Sequence, residues 1–165
     1  MNPVFDAPAV CNTGPLIGLA RIEMAWLPFR LFPEVIVPEE VRLELLAKDS
    51  PDRDQLMEVL VQARIHPCQS QQDRLLLTEL DEGEASVISA AVRLGLSTVI
   101  LDERKARRIA SRVYGLHTKG AAGLLVEAKN RRMIESVRPH LEGMIQRGYF
   151  LGPNLVAACL TAAGE

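Results

Sequence analysis

STVILDERKARR, from Ser97 to Arg108, decides the fold. Its first half, Ser97 to Leu101, is a continuous apolar run of the kind found in strands buried on both faces of a parallel sheet. Its second half opens a basic helix, Arg104 to Tyr114, closed by Gly115 as a natural helix terminator. Asp102 stands at the switch. In parallel α/β sheets the carboxyl ends of the strands converge on one edge, and sites are built there. Asp102 is therefore expected to point into that crevice. The competing role is to cap the helix that follows it, which aspartate does well. The two are compatible, because a capping carboxylate keeps free lone pairs.

The same alternation extends outward in both directions. Ala9 to Asn12 reads as a short buried strand, then Thr13 as an N-cap with Pro15 in the first turn. Leu16, Leu19, Ala20 and Met24 share one face of that helix. Glu34 to Val37 is a second, proline-bounded strand. Pro38 opens a helix with Val41, Leu45 and Leu46 inward, and Ser50-Pro51-Asp52 starts another that runs to about Ala63. After a polar loop, Gly83 to Leu94 is a small-residue helix ending at Gly95. His117-Thr118 reads as a short strand, and Gly120 to Asn130, Val137 to Arg147 and Asn154 to Ala163 as helices. Strands alternating with helices predict one domain, a three-layer α/β/α sandwich around a central parallel sheet.

Composition narrows the partners. The chain has 165 residues, of which 48% are apolar and 24% charged, enough to bury a core as one domain. With aromatics at 4%, stacking on bases is not a widespread device here. No signal-peptide or membrane-spanning pattern is legible, so a soluble cytoplasmic protein is expected. Cys11, Cys68 and Cys159 form no CxxC pair and are expected to be reduced; His66-Pro67-Cys68 reads as a strand edge rather than a zinc fragment. The net charge is −2, yet Glu103 to Arg132 holds nine basic residues against two acids. The rest of the chain holds ten against nineteen. That asymmetry, beginning directly after Asp102, points to an anionic partner. A solvated helix face and an assembly contact with the acidic part of a second copy are the alternatives. The uncharged C-terminal helix offers a homodimer surface, although packing on its own core is the plainer account.

Three further positions accompany Asp102. Glu84, in Asp81-Glu82-Gly83-Glu84, has the form of a capping box. Gly83 beside it would let a metal with its waters approach closely. Glu39 and Glu40 are explained by the helix dipole. Glu44, one turn on and flanked by Leu43, Leu45 and Leu46, is not so easily a solvated acid. Asn12 follows the first strand and could give one carbonyl oxygen to a metal, or serve as a turn residue. Carboxylates gathered at one sheet edge form a hard-oxygen nest for Mg²⁺ or Mn²⁺. Dinucleotide, phosphate-loop and serine-hydrolase motifs are absent.

NTGPLIGLARI, VIVPEEVRLEL, DEGEASVISAA, VILDERKARRIA and GAAGLLVEAKNRRMI, in that order, resemble the PIN domain superfamily. These are metal-dependent ribonucleases that include toxins of bacterial toxin–antitoxin pairs. The resemblance is strongest to a branch of mostly uncharacterised prokaryotic proteins, and it covers nearly the whole chain. It implies a metal-facing set of Asn12, Glu44, Glu84 and Asp102, holding one or two Mg²⁺ or Mn²⁺ ions. Of these, Glu44, Glu84 and Asp102 would be catalytic, and Thr13 would be the hydroxyl that supports the first ligand. Most active members carry aspartate where Asn12 stands; the amide removes one negative charge from the ligand set, and ion binding is expected to be weaker.

The expected activity is metal-assisted hydrolysis of RNA phosphodiesters, with Arg104, Lys105, Arg107, Arg108 and Lys119 on the backbone. An antitoxin-like protein is an implied partner. A catalytically weak or inactive PIN-fold module that binds nucleic acid or protein is the alternative, favoured by Asn12. Glu103, adjacent to Asp102, is open to substituting for the missing acid.

Overall fold

The computed structural model describes residues 5–67 and 74–165. Cys68, and with it the end of the His66-Pro67-Cys68 segment, lies outside the described residues. Five short strands form one all-parallel sheet: β1 (Ala9–Cys11), β2 (Val35–Pro38), β3 (Arg64–His66), β4 (Thr98–Ile100) and β5 (His117–Lys119). Their order is β3-β2-β1-β4-β5. The chain winds outward from β1 in one direction through β2 and β3, then returns to β4 on its other side. The boundary between β1 and β4 is thus the switch point where crevices open in such sheets. Cys11 pairs with Ile100 in the register, so Asn12 and Leu101 leave the sheet side by side. The Asn12 amide N–H still donates to the Ile100 carbonyl at 3.0 Å.

Ten helices flank this sheet among the described residues. The first four are α1 (Thr13–Ala20), α2 (Leu27–Leu31), α3 (Glu39–Ala47) and α4 (Arg53–Leu60). They are followed by α5 (Arg74–Glu79), α6 (Glu82–Leu94) and α7 (Arg104–Tyr114). Last come α8 (Ala121–Asn130), α9 (Arg138–Gln146) and α10 (Pro153–Ala163). The chain is the α/β/α sandwich expected from the alternation. Helix α6 lies across β1, β2 and β4, and its small residues Ala85, Ser86, Ala90 and Ala91 allow that close approach. Helix α10 packs on α8 and lays Val156, Cys159, Leu160 and Ala163 toward the core at helical spacing.

Several local readings are corrected. Thr13 is not the N-cap of α1; Asn12 holds that position, and no side chain caps the helix. The helix stops at Ala20 rather than continuing to Met24, because the chain turns out through Glu23, whose φ of 59° is left-handed. Met24 is nonetheless buried. Leu46 is only half-buried. Helix α4 begins and ends inside the range expected for it. Helices α2 and α5 have no counterpart in the sequence reading. Both are short, and α5 falls in the stretch taken for a polar loop.

Candidate functional site

The carboxyl edge carries two adjoining features, one acidic and one with mixed charge. The acidic one lies where β1, α3 and the start of α6 meet. A Cβ placed on Gly83 would stand 3.0 Å from Glu44 Oε2, 3.3 Å from Asn12 Oδ1 and 3.5 Å from Asp81 Oδ1. Three oxygens from separate elements thus face one point, kept open only because residue 83 has no side chain. Asn12 is 8% exposed, and its Oδ1 has no hydrogen-bond partner. A buried carbonyl oxygen left unpaired costs about 1–3 kcal/mol, and such an atom in a native site calls for a partner. Glu40, Glu44, Asp81, Glu82 and Gly83 line an open pocket of about 280 Å³ here.

Glu44 is held from two sides. The Thr13 hydroxyl donates to Oε2 at 2.8 Å, and Lys48 Nζ donates to Oε1 at 2.9 Å. Thr13 therefore turns the inner oxygen toward the cradle, while Lys48, one turn along α3, holds the outer one.

Glu84 forms the capping box expected from its motif. Its backbone N–H donates to Asp81 Oδ1 at 2.8 Å, and its Oε2 accepts from the Asp81 N–H at 3.3 Å. Burial, then the neighbouring charge of Asp81, raises its carboxyl to about 7, with smaller contributions from Glu103 and Glu44. Capping thus consumes part of Glu84 and at the same time fixes Asp81 Oδ1 beside the glycine.

Asp102 borders a cleft at the carboxyl edge, as expected, but does not cap the helix that follows it. The helix after it is capped by Glu103, whose Oε2 accepts from the Ala106 N–H at 2.7 Å. Asp102 instead turns toward β5 and α8. Its Oδ1 accepts from the Ala121 N–H at 2.9 Å, at the positive end of α8, and its Oδ2 accepts from the Tyr149 hydroxyl. A Cβ on Gly120 would lie 2.6 Å from Asp102 Oδ1 and 3.0 Å from Arg107 Nη1, so the carboxylate and guanidinium fit only because that residue is glycine. Burial raises the Asp102 pKa, and the Tyr149, Ala121 and Arg107 contacts oppose the rise. Tyr149 was not identified from sequence. Its ring packs against Gly18 of α1, where an added Cβ would come within 2.7 Å of Cζ. A tyrosine following Gly148 in an aromatic-poor chain was the available signal.

The basic residues disperse around this edge. Lys105 pairs with Glu79 at 2.8 Å. Arg107 turns inward and its Nε donates to Thr118 Oγ1 at 3.4 Å. Lys119 lies over the Phe5 ring, 5.0 Å from its centre. Arg104 and Arg108 remain exposed on α7. Asp102, Glu103, Arg104, Arg107, Phe150 and Leu155 are among the residues lining a second cleft, of about 680 Å³.

A protein family described as a PIN domain matches residues 8–165. The chain belongs to the PIN domain family. Neither the curated proteins nor the solved structures yield a significant match. The PIN domain is a nuclease-type fold whose members are generally dependent on a divalent metal. Among the described residues of this PIN domain, no three side chains of the His, Cys, Asp and Glu types are grouped to hold a metal. The physical reason is visible in the cradle, where an amide supplies the third oxygen and Asp102 is turned away. The oxygens that do converge are nevertheless those a hard cation takes: two carboxylates and a carbonyl. No helix among the described residues is long and apolar enough to cross a membrane.

Proposed function

We propose that this PIN domain is a divalent-metal-dependent ribonuclease that hydrolyses phosphodiester bonds. The observation that carries the reading is the unpaired, buried Asn12 Oδ1, facing the Gly83 opening together with Glu44 Oε2 and Asp81 Oδ1. Those three oxygens would hold Mg²⁺ or Mn²⁺. When bound, the ion would supply Lewis-acid polarisation of a phosphate and neutralise charge developing on it. Thr13 orients the Glu44 carboxylate. Glu84 holds Asp81 Oδ1 beside the glycine through its backbone N–H. Asp102 and Arg107 border the adjoining cleft, and Arg104 and Arg108 supply positive charge for the backbone.

A non-cleaving RNA-binding module is the second reading, favoured by one feature. Asn12 contributes no charge, and both oxygens of Glu44 already accept hydrogen bonds. Mn²⁺ titration calorimetry with a parallel RNA-cleavage assay separates the two. The nuclease reading expects Mn²⁺ binding and cleavage in wild type, loss of both in Glu44→Gln, and a gain of both in Asn12→Asp. Tight RNA binding without Mn²⁺ uptake or cleavage, in wild type and Asn12→Asp alike, would leave the binding module.

A further inference from the structure

The mixed-charge cleft contains one residue that the metal cradle does not use. Phe150 is 86% exposed, in a chain where aromatics make up 4% of residues. Its neighbour Tyr149 faces inward, packed on Gly18 and bonded to Asp102, while Gly148 turns the chain at φ +83°. The segment carrying Phe150 is thereby tied to α1 and to Asp102, two residues beyond β4. A phenyl ring is held out in water on an anchored support, beside Arg104 and Arg107, at a cleft of about 680 Å³. That volume lies within the range of small-ligand sites.

We propose that Phe150 is a stacking platform for one unpaired nucleobase, with the exposed Arg104 holding a phosphate that flanks it. The proposal rests on the nucleic-acid reading above and adds a base-contacting residue to it. Three features select this occupant. Phe150 and Leu155 are the exposed large apolar residues at the cleft, too little apolar surface for the core of a protein interface but enough for one base. Of the charged residues bordering the cleft, Arg107 faces Asp102 and Glu103 caps α7, so Arg104 is the exposed cation beside the ring, and the basic face continues along α7 with Arg108 and Arg112. Every base presents a π-face, so one aromatic ring next to cations binds single strands without needing a sequence code. A duplex keeps its bases stacked on each other and cannot offer one to the ring.

The test is fluorescence anisotropy of a short, unstructured, labelled RNA and of its blunt duplex, in EDTA so that nothing is cleaved. The exposed position lets Phe150 variants fold, which circular dichroism verifies. Phe150→Ala and Phe150→Leu are expected to weaken single-strand binding about 5- to 150-fold, the ratio that about 1–3 kcal/mol of stacking gives. Phe150→Trp should retain it. Arg104→Gln should weaken binding and flatten its salt dependence by about one phosphate contact, whereas Phe150→Ala should leave the salt slope unchanged. Wild-type affinity in Phe150→Ala, with Arg104→Gln still impaired, overturns the platform and leaves the nucleic-acid reading standing. No binding by wild type, in EDTA or with Ca²⁺ in its place, overturns both. Equal Phe150 dependence with the duplex overturns the unpaired base. A wild-type dimer in sedimentation that Phe150→Ala splits would reassign the ring to a contact between copies.

Discussion

Replacing Gly83 with alanine sets two effects of opposite sign against each other. In a helix, alanine is favoured over glycine by about 1 kcal/mol, and Gly83 is the second residue of α6. The added Cβ would meet Glu44 Oε2 at 3.0 Å and Asn12 Oδ1 at 3.3 Å. The first of these is tight, but the Glu44 side chain is 40% exposed and can swing outward. The two terms nearly cancel, so the metal-free variant should differ from wild type by less than about 1 kcal/mol. Metal changes the comparison. An ion that binds only the folded state, present at a hundredfold excess over its Kd, adds about 2.7 kcal/mol. For a chain of this size that raises the melting temperature by roughly 5–10 °C. Wild type should show this rise when Mn²⁺ replaces EDTA in differential scanning calorimetry, and Gly83→Ala should not. The same rise in both proteins would mean that the ion sits elsewhere. No rise in wild type would remove the cradle as a metal site altogether.

Three other outcomes follow from the contacts. Tyr149→Phe removes a half-buried hydroxyl donor to the Asp102 carboxyl and should lower unfolding stability by about 1–3 kcal/mol, measured by urea titration; no change would mean the hydroxyl is not bonded to Asp102 in solution. Glu84 has a folded pKa of about 7 against 4.5 for the ordinary group. Being raised, it contributes stability that is complete below 4.5 and lost as pH climbs through 7. Glu84→Gln should flatten thermal stability across that window, and an unchanged slope would reassign the effect to other groups. Glu165 accepts from Lys129, Ser136, Val137 and Arg138, which together hold its carboxyl down at about 2. Its contribution is present above 4.5 and lost as pH falls toward 2, so Glu165→Gln should blunt the acid-side loss of stability; the same acid profile in both proteins would count against it.

Patterns that depend on neighbours in sequence were legible, and contacts between distant residues were not. The apolar run ending at Leu101 became β4, and Asp81 with Glu84 became the capping box their spacing implied. Gly95 and Gly115 close α6 and α7 in the left-handed conformation. Asp102 misled because capping was judged by the next helix along the chain, whereas α8 reaches it through the parallel pairing of β4 with β5. Glu103 took the local cap instead. Asp81 was understood as a cap but not as a site oxygen, since nothing in its own segment shows Asn12 and Glu44 arriving on the far side of Gly83. Tyr149 and Phe150 lie between the two last expected helices, Val137 to Arg147 and Asn154 to Ala163, in a stretch that the alternating pattern did not interpret. Thr13 is the most telling case. Its hydroxyl was expected to cap a helix and, by resemblance, to support the first ligand; it does neither, and donates to Glu44, 31 positions along the chain.

The order β3-β2-β1-β4-β5 also governs when the site can exist during synthesis. Thr13 reaches Glu44 across 31 positions, and Asp102 reaches Tyr149 across 47. Because β1 is flanked by β2 and β4, the first strand made waits for the fourth before its carboxyl end is enclosed. A ribosome-bound chain that has not yet released Gly83 has no cradle, and one that has not released Tyr149 has no partner for the Asp102 hydroxyl bond. Fragments cut anywhere between those points lack one half or the other. The edge proposed to carry the chemistry is therefore assembled in full only once the chain has been made through Tyr149.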